Sequence, residues 1–431
     1  MHRTLRTLAA LVAALLVALL ATACQGGHDG KGVTITYWAN PMTAEPEQHH
    51  KELEKVLTAF TEETGIKVDV EMQDWTKVYP KIISAIASRS LPDVFDTGTT
   101  WAAALQATGG LMPFDDDAFK AIGGRSRFVA SSMASTGAPG KPPAAVPLYG
   151  MAYGLYYNPT MFAAAGISRP PRTWADLVSD ARRLTTKDHW GIAVGGTGAL
   201  NLVHHAFVMG RQNGGHLFSP SGEPTFDTPA ERAAVRRLLD LMDVDKVIDP
   251  SMIEQDGIGA VTAFGQGKAA MVIAQTASVT TLHSLGFDDY KVAQVPVLDP
   301  LPTGGAPVQS IVAGTNLAVS ADTPHRAAAL QLVKYLTSDR AQTMLSAAFG
   351  TLPVTKSVQA SAEFSDPVRK VFGQILAHHS EPMPQVPDEG AMEIVLGEEL
   401  VKLWPHAADG SLTDAEVEQA LRRAEQKMPQ R

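Results

Sequence analysis

Between Val33 and Asp96 the chain runs through five segments whose hydrophobic period switches between that of a strand and that of a helix. Val33-Thr-Ile-Thr-Tyr-Trp38 alternates apolar with polar residues, a period of two. Leu53, Val56, Leu57 and Phe60 then recur at helical spacing up to Gly65, a residue suited to ending a helix. Residues 66–72 alternate again, Ile82, Ile83 and Ile86 mark a second helix, and Pro92-Asp-Val-Phe-Asp96 returns as a short strand. The order βαβαβ predicts a parallel sheet covered by helices, because parallel strands need long crossovers and helices supply them.

With 431 residues there is chain for two or three such units. Four prolines and two glycines interrupt any period between Gly137 and Pro147, which reads as a loop or crossover. A second α/β region follows, its helix starts announced by Thr173-Trp-Ala-Asp176, Thr228-Pro-Ala-Glu231 and Thr413-Asp-Ala-Glu416, each with an acid three residues after the threonine. Strands are expected at 190–194 and 269–274, and a Pro/Gly-rich stretch at 296–307 precedes a strand-like 311–320. The chain is expected to cross over twice.

The first 23 residues carry Arg3 and Arg6 and then an uncharged apolar run ending in small residues. That run is shorter than the roughly 20 residues needed to cross a bilayer core, as in a cleaved export signal. Its end, Leu20-Ala21-Thr22-Ala23-Cys24, resembles a bacterial lipoprotein cleavage box, in which the cysteine becomes a lipidated N-terminus. Residues 24–32 would then be a flexible tether. Cys24 is the only cysteine, which excludes intrachain disulfides and Cys-based zinc motifs. The expected location is extracytoplasmic, lipid-anchored to the outer face of the cell membrane.

Formal charge is −9, with 36 basic and 45 acidic residues and no basic cluster that could neutralise a run of phosphates. Nucleic acid is not an expected partner. No G-x-S-x-G elbow, H-E-x-x-H or P-loop occurs. The pairs His49-His50, His204-His205 and His378-His379 are adjacent and point about 100° apart on a helix, so they do not suit one metal ion. Asp115-Asp-Asp117 lacks the spacing of a calcium loop. No metal, cofactor or catalytic residue is expected. Paired carboxylates for glycoside hydrolysis leave no signature, because the fold sets their separation of roughly 5 to 9 Å.

Ligands of parallel α/β sheets sit beyond the carboxyl ends of the strands. The first strand runs into Trp38-Ala-Asn40, the second into Gln73-Asp-Trp75 and the third into Thr97-Gly-Thr-Thr-Trp101. Three of the six tryptophans therefore fall at strand ends beside short hydrogen-bonding side chains, with Gly98 permitting close backbone approach. The mixture suits an uncharged sugar, whose C–H faces stack on aromatic rings while Asn40, Asp74, Thr97 and Thr99 meet its hydroxyls. Tyr149 and Tyr153 would line a facing wall.

The ordered segments Trp38-Ala-Asn40, Leu91-Pro-Asp-Val-Phe95, Val146-Pro147, Leu155-Tyr-Tyr-Asn158, Thr173-Trp-Ala-Asp-Leu177, Phe264-Gly-Gln-Gly-Lys-Ala-Ala-Met271, Gly314-Thr-Asn-Leu-Ala-Val-Ser320 and Gly350-Thr-Leu-Pro-Val354 cover nearly the whole chain. In them the sequence resembles the sugar-binding class of extracellular solute-binding proteins, of the maltose-binding type, which serve ATP-driven importers. The resemblance implies an α/β fold of two lobes, each a mainly parallel sheet flanked by helices, with a ligand cleft between them. Lobe one would span 33–146 plus 308–348, and lobe two 147–307 plus 349–431. It further implies a monomer that catalyses nothing and delivers a carbohydrate to permease subunits in the membrane. The implied cleft contacts are Trp38, Asp74, Trp75, Thr97, Gly98, Thr99 and Trp101, with Tyr149 and Tyr153 opposite, then Gln275, Thr276, Gly314, Thr315 and Asn316, and Asn201 beyond a Gly-rich turn. A secreted glycan-active enzyme and a structural surface lipoprotein stay open as alternatives.

Overall fold

The computed structural model describes residues 32–42 and 46–429; the leader, Cys24 and nearly all of the tether lie outside the described residues. In chain order the strands are β1 Thr34–Ala39, β2 Lys67–Met72, β3 Val94–Gly98, β4 Ala145–Met151, β5 Tyr153–Tyr157, β6 Met271–Gln275, β7 Lys291–Ala293, β8 Ser310–Ile311, β9 Ala313–Val319 and β10 Ser380–Glu381.

The first lobe is built on the sheet β2-β1-β3-β9-β4. β1 pairs in parallel with β2 and β3, as the βαβαβ order requires, whereas β9 runs antiparallel to both β3 and β4. Along β1 the alternation works as read: Ile35, Tyr37 and Ala39 enter the core while Thr34 and Thr36 face water. All five residues of β3 are buried, because this central strand is covered on both faces. Leu53, Val56, Leu57 and Phe60 seat the helix Pro46–Thr64 on the sheet. Asp74 caps the helix Trp75–Ser88, and Arg89 closes it in the left-handed region at φ 53°.

The second lobe centres on β5 between β6 and β7, both antiparallel to it. Around this sheet stand the helices Trp174–Leu184, Ala199–Gln212, Pro229–Asp243, Glu389–Val401 and Asp414–Lys427. Thr173 and Thr413 form complete capping boxes, and Thr228 accepts from the Glu231 amide. The segment 190–194 makes isolated bridges rather than a strand. Its amides divide between two partners, Ile192 bonding Val247 and Ala193 bonding Met271. Gly191 and Gly195 meanwhile press against the backbones of Ala181 and Asp256.

Neither sheet is therefore mainly parallel: the first is mixed, because β9 returns from the other lobe against the direction of β3, and the strands of the second are antiparallel, with only isolated parallel bridges from Trp190 and Ala193. Strand pairing also moves the crossovers. Pro147–Met151 belong to β4 and stay with the first sheet, so the chain first leaves that lobe at Ala152. Pro147 is tolerated there because β4 is an edge strand. β8 pairs with β10 and β9 with β3, so the return passes through Val312. Leu352 still exchanges hydrogen bonds with Gly150, and the Val354 carbonyl accepts from Val129, which keeps this stretch on the first lobe.

Candidate functional site

The loop after β3 in the first lobe meets the helices Ala199–Gln212 and Glu389–Val401 of the second at one side chain, Glu393. This carboxylate is 4% exposed. Its Oε2 accepts from the Trp101 indole N–H at 2.7 Å and from the Thr100 hydroxyl at 3.1 Å, while Oε1 lies 3.2 Å from His204 Nε2. A carboxylate only accepts, so His204 Nε2 donates to Glu393, and His204 Nδ1 lies 2.9 Å from the Tyr153 hydroxyl. The Tyr153 hydroxyl donates to Asn201 Oδ1 at 3.0 Å and accepts from Gln275 Nε2 at 2.9 Å. One polar chain thus runs from Thr100 and Trp101 through Glu393 and His204 to β6.

Aromatic rings cover it on the first-lobe side. The Trp101 ring lies 5.8 Å from that of Trp75 and 5.2 Å from that of Tyr79, both tilted. Trp75 donates its indole N–H to the Pro41 carbonyl at 2.7 Å, and Lys81 Nζ sits 4.1 Å from the centre of the Trp38 ring.

Glu389 is one helical turn before Glu393 and fully buried, and among the described residues neither of its carboxyl oxygens has a hydrogen-bond partner apart from Glu393. Burial, with Glu393 beside it, pushes its carboxyl well above the usual range. Burial and the charges of Glu389, Glu393 and Asp388 push Tyr79 up to about 12. Burial, helped by His204, lowers His205 to about 3, so that imidazole is neutral.

Of the residues singled out from the sequence, the structure brings Trp75, Trp101, Tyr153, Gln275 and Asn201 to this junction, with Trp38 on its flank. Others have local duties. Asp74 is exposed and spends its carboxylate on the Thr76 amide and hydroxyl and on Lys77. Gly98 accommodates the Trp101 indole, which lies 3.1 Å from where a Cβ would stand. Thr99 donates to Val312 O and Thr276 to Ala152 O, both at crossovers. Thr97 pairs with Asn316 and Gly98 with Thr315 across β3 and β9. Asn316 donates to Ser135 O and Thr315 contacts Met42 Sδ. Asn40 is fully buried, its backbone N–H donating to Asp96 at 2.9 Å while its side-chain amide finds no hydrogen-bond partner among the described residues.

Tyr149 does not face the second lobe. As part of β4 it is 1% exposed in the core of the first, edge-on to Phe349 at 5.6 Å. Gly314, at φ +136°, abuts the Tyr149 carbonyl.

Sequence reasoning missed Glu389, Glu393, Thr100, Tyr79 and His204 as site residues. The signal was present for the glutamates: in Glu389-Gly-Ala-Met-Glu-Ile-Val-Leu396 two acids one turn apart punctuate an otherwise apolar stretch at the start of this helix.

A separate depression of about 440 Å³ on the second lobe is lined by Trp190, Gln255, Lys268 and neighbours. Its carboxylates Asp249 and Asp256 are engaged as helix caps. The junction at Glu393, where groups from both lobes converge, is the better candidate. Among the described residues no three His, Cys, Asp or Glu side chains are placed to hold a metal ion.

Residues 45–343 match the family model of the bacterial extracellular solute-binding proteins. The chain belongs to that family. Membership puts its working place outside the cytoplasm. The diacetylchitobiose binding protein DasA of Streptomyces coelicolor is 26% identical over 412 residues, 89% of each chain. Among solved structures, the GacH receptor of Streptomyces glaucescens, determined free and with acarbose, superposes with a TM-score of 0.74 at 23% identity, covering 90% of this chain and 96% of its own. A solute-binding protein of Thermotoga lettingae bound with α-D-tagatose gives 0.77 at 21%, covering 92% and 100%. These likenesses establish the two-lobed α/β fold.

Proposed function

We propose that this solute-binding protein captures a sugar or oligosaccharide between its lobes at the Glu393 junction and delivers it to a membrane permease. The observation that carries the reading is the convergence on one carboxylate of an indole and a hydroxyl from the first lobe and a histidine, itself bonded to a tyrosine, from the second. Aromatic faces beside fixed donors and acceptors are what a sugar ring requires. A relative named for diacetylchitobiose, and structural neighbours determined with acarbose and with α-D-tagatose, support the ligand class. A guest touching both lobes binds the closed arrangement better than an open one, so binding is a population shift toward closure, and the closed shape is what a permease reads.

Delivery needs the body held near the membrane. A lipid on Cys24 with the tether behind it supplies that, and the receptor works as a monomer. Glu389 and Glu393 lie side by side on one helix face, an arrangement that does not place two carboxylates on opposite sides of a glycosidic bond, and no catalytic step belongs to this reading.

The test is a panel of mono- and oligosaccharides followed by melting temperature and calorimetry. A ligand selective for the folded state raises the melting temperature. A sugar-specific rise without product release is expected. Released products favour the enzyme, and no response across the panel favours a structural lipoprotein.

A further inference from the structure

Two buried glutamates on the helix Glu389–Val401 are treated in opposite ways. Glu399, near its end, is 1% exposed and bonds Lys402 and Lys427 at 2.7 and 2.8 Å and Arg423 at 2.8 Å. Although burial pushes its carboxyl up, those three cations bring it down to about 2. Glu389, near its start, is at least as deeply buried, and among the described residues its oxygens find no hydrogen-bond partner but another carboxyl, Glu393. Among the described residues no lysine or arginine reaches this pair, and its one basic neighbour, His204, sits on Glu393 Oε1 rather than on Glu389; two desolvated carboxylates so placed are costly unless one member holds a proton. The first lobe closes over the pair with aromatic surface: the Tyr79 ring packs on Gly390, and Trp101 lies against Tyr79. Rings of this kind attract a cation.

We propose that the sugar received between the lobes carries a protonated amine, and that Glu389 together with Glu393 is the seat for that ammonium group. The proposal rests on the sugar-receptor reading and narrows its ligand class to amino sugars and aminocyclitols. An ammonium offers three donors, enough to bridge both carboxylates, whereas a hydroxyl offers one and leaves the second charge uncompensated. With fewer than three metal-ligating side chains converging among the described residues, an organic cation fits the seat better than a metal ion.

The seat also sets a proton balance. The titratable groups around it are Asp388, Tyr79 and His204 together with the two glutamates. Binding of an already protonated amine drives the shared proton off the pair, so complex formation releases up to one proton to the buffer.

The experiment compares the glucosamine disaccharide with its N,N′-diacetyl form, and other amino sugars with their N-acetylated forms, by calorimetry on the whole protein in buffers of different ionisation enthalpy. At least one free amine is expected to bind about 10- to 100-fold more tightly than its acetylated twin, with proton release, and Glu389→Gln to abolish both the preference and the release. Should the variant not fold, the wild-type preference and proton count still decide. Acetylated or neutral sugars binding as well as the amines, without proton release, overturns the amine seat while leaving the sugar receptor standing. No binding by charged or neutral sugars overturns both.

Discussion

The indole N–H of Trp101 and the carboxylate of Glu393, 292 positions apart in the chain, meet at 2.7 Å and tie the loop after β3 to the helix Glu389–Val401. Because one partner belongs to each lobe, the contact exists only when the lobes are together. A guest entering the junction must either share these donors and acceptors or replace them.

Trp101→Phe keeps most of the ring packing and removes the N–H. A hydrogen bond to a charged group contributes about 1.5–3 kcal/mol, so affinity for the sugar that most raises the melting temperature should fall about tenfold or more. Circular dichroism should be unchanged. Equal affinity of variant and wild type in calorimetry would take Trp101 out of the binding reading.

Tyr149 makes the contrasting case. Its ring fills the first-lobe core against Phe349 and its hydroxyl has no partner. Tyr149→Phe should therefore leave stability within about 1 kcal/mol and ligand affinity unaltered, while Tyr149→Ala should cost about 3–5 kcal/mol in urea unfolding. A large loss of affinity in Tyr149→Phe would return this residue to the cleft.

The misplacement of Tyr149 shows what local pattern conveys. Period-two alternation locates β1 and β2 because it is a local property of each strand, the short run Pro92-Asp-Val-Phe-Asp96 locates β3, and the strand ends lead to Trp75 and Trp101. The proline-rich run before Tyr149 was read as a crossover, yet an edge strand accepts Pro147 without losing a needed donor. Glu389 and Glu393 were overlooked for a different reason. An acid on a helix normally marks the solvent face, and only the tertiary approach of Trp101, Tyr79 and His204 turns this face inward. The family resemblance implies Thr315 and Asn316 as cleft contacts, whereas pairing with β3 assigns them to the sheet.

Gly314 separates a structural glycine from a binding one. At φ +136° an L side chain is strained, and a Cβ would overlap the Tyr149 carbonyl oxygen and approach the Met151 nitrogen at 3.3 Å. Gly314→Ala should lower unfolding free energy by about 2 kcal/mol or more, with the folded fraction binding sugar as wild type does. Normal stability combined with lost affinity would reverse that assignment.

Cys24→Ser removes the sole thiol that could carry lipid. Expressed with its own leader in a bacterial host, the variant should move from the membrane fraction to the soluble one while its sugar affinity stays the same. Membrane retention of the variant would show that another element anchors the chain.

Glu231 supplies a stability test independent of ligand. Only 2% exposed, its carboxyl is packed against Gly210 and Gly215, and burial pushes it up to about 8, with the charge of Arg211 opposing only in part. Arg211 is committed elsewhere, bonding Glu381 at 2.7 Å and the Gly215 carbonyl at 2.9 Å. In the unfolded chain a glutamate titrates near 4.3, so between about pH 4 and 8 the native state binds more protons and stability falls as pH rises. The contribution is complete below pH 4, shrinks by about 1.4 kcal/mol per pH unit above it, and is gone above 8. Asp96, pushed up to about 7 by burial, and Glu389 act in the same direction, but they are common to wild type and variant. The difference between wild type and Glu231→Gln therefore isolates this side chain. Urea midpoints measured from pH 5 to 9 should fall more steeply for wild type up to about pH 8, with the variant gaining on it over that stretch and the two curves parallel above it. Curves parallel from pH 5 onward would mean that Glu231 stays ionised in the folded protein and that its neighbourhood is more polar than its burial implies.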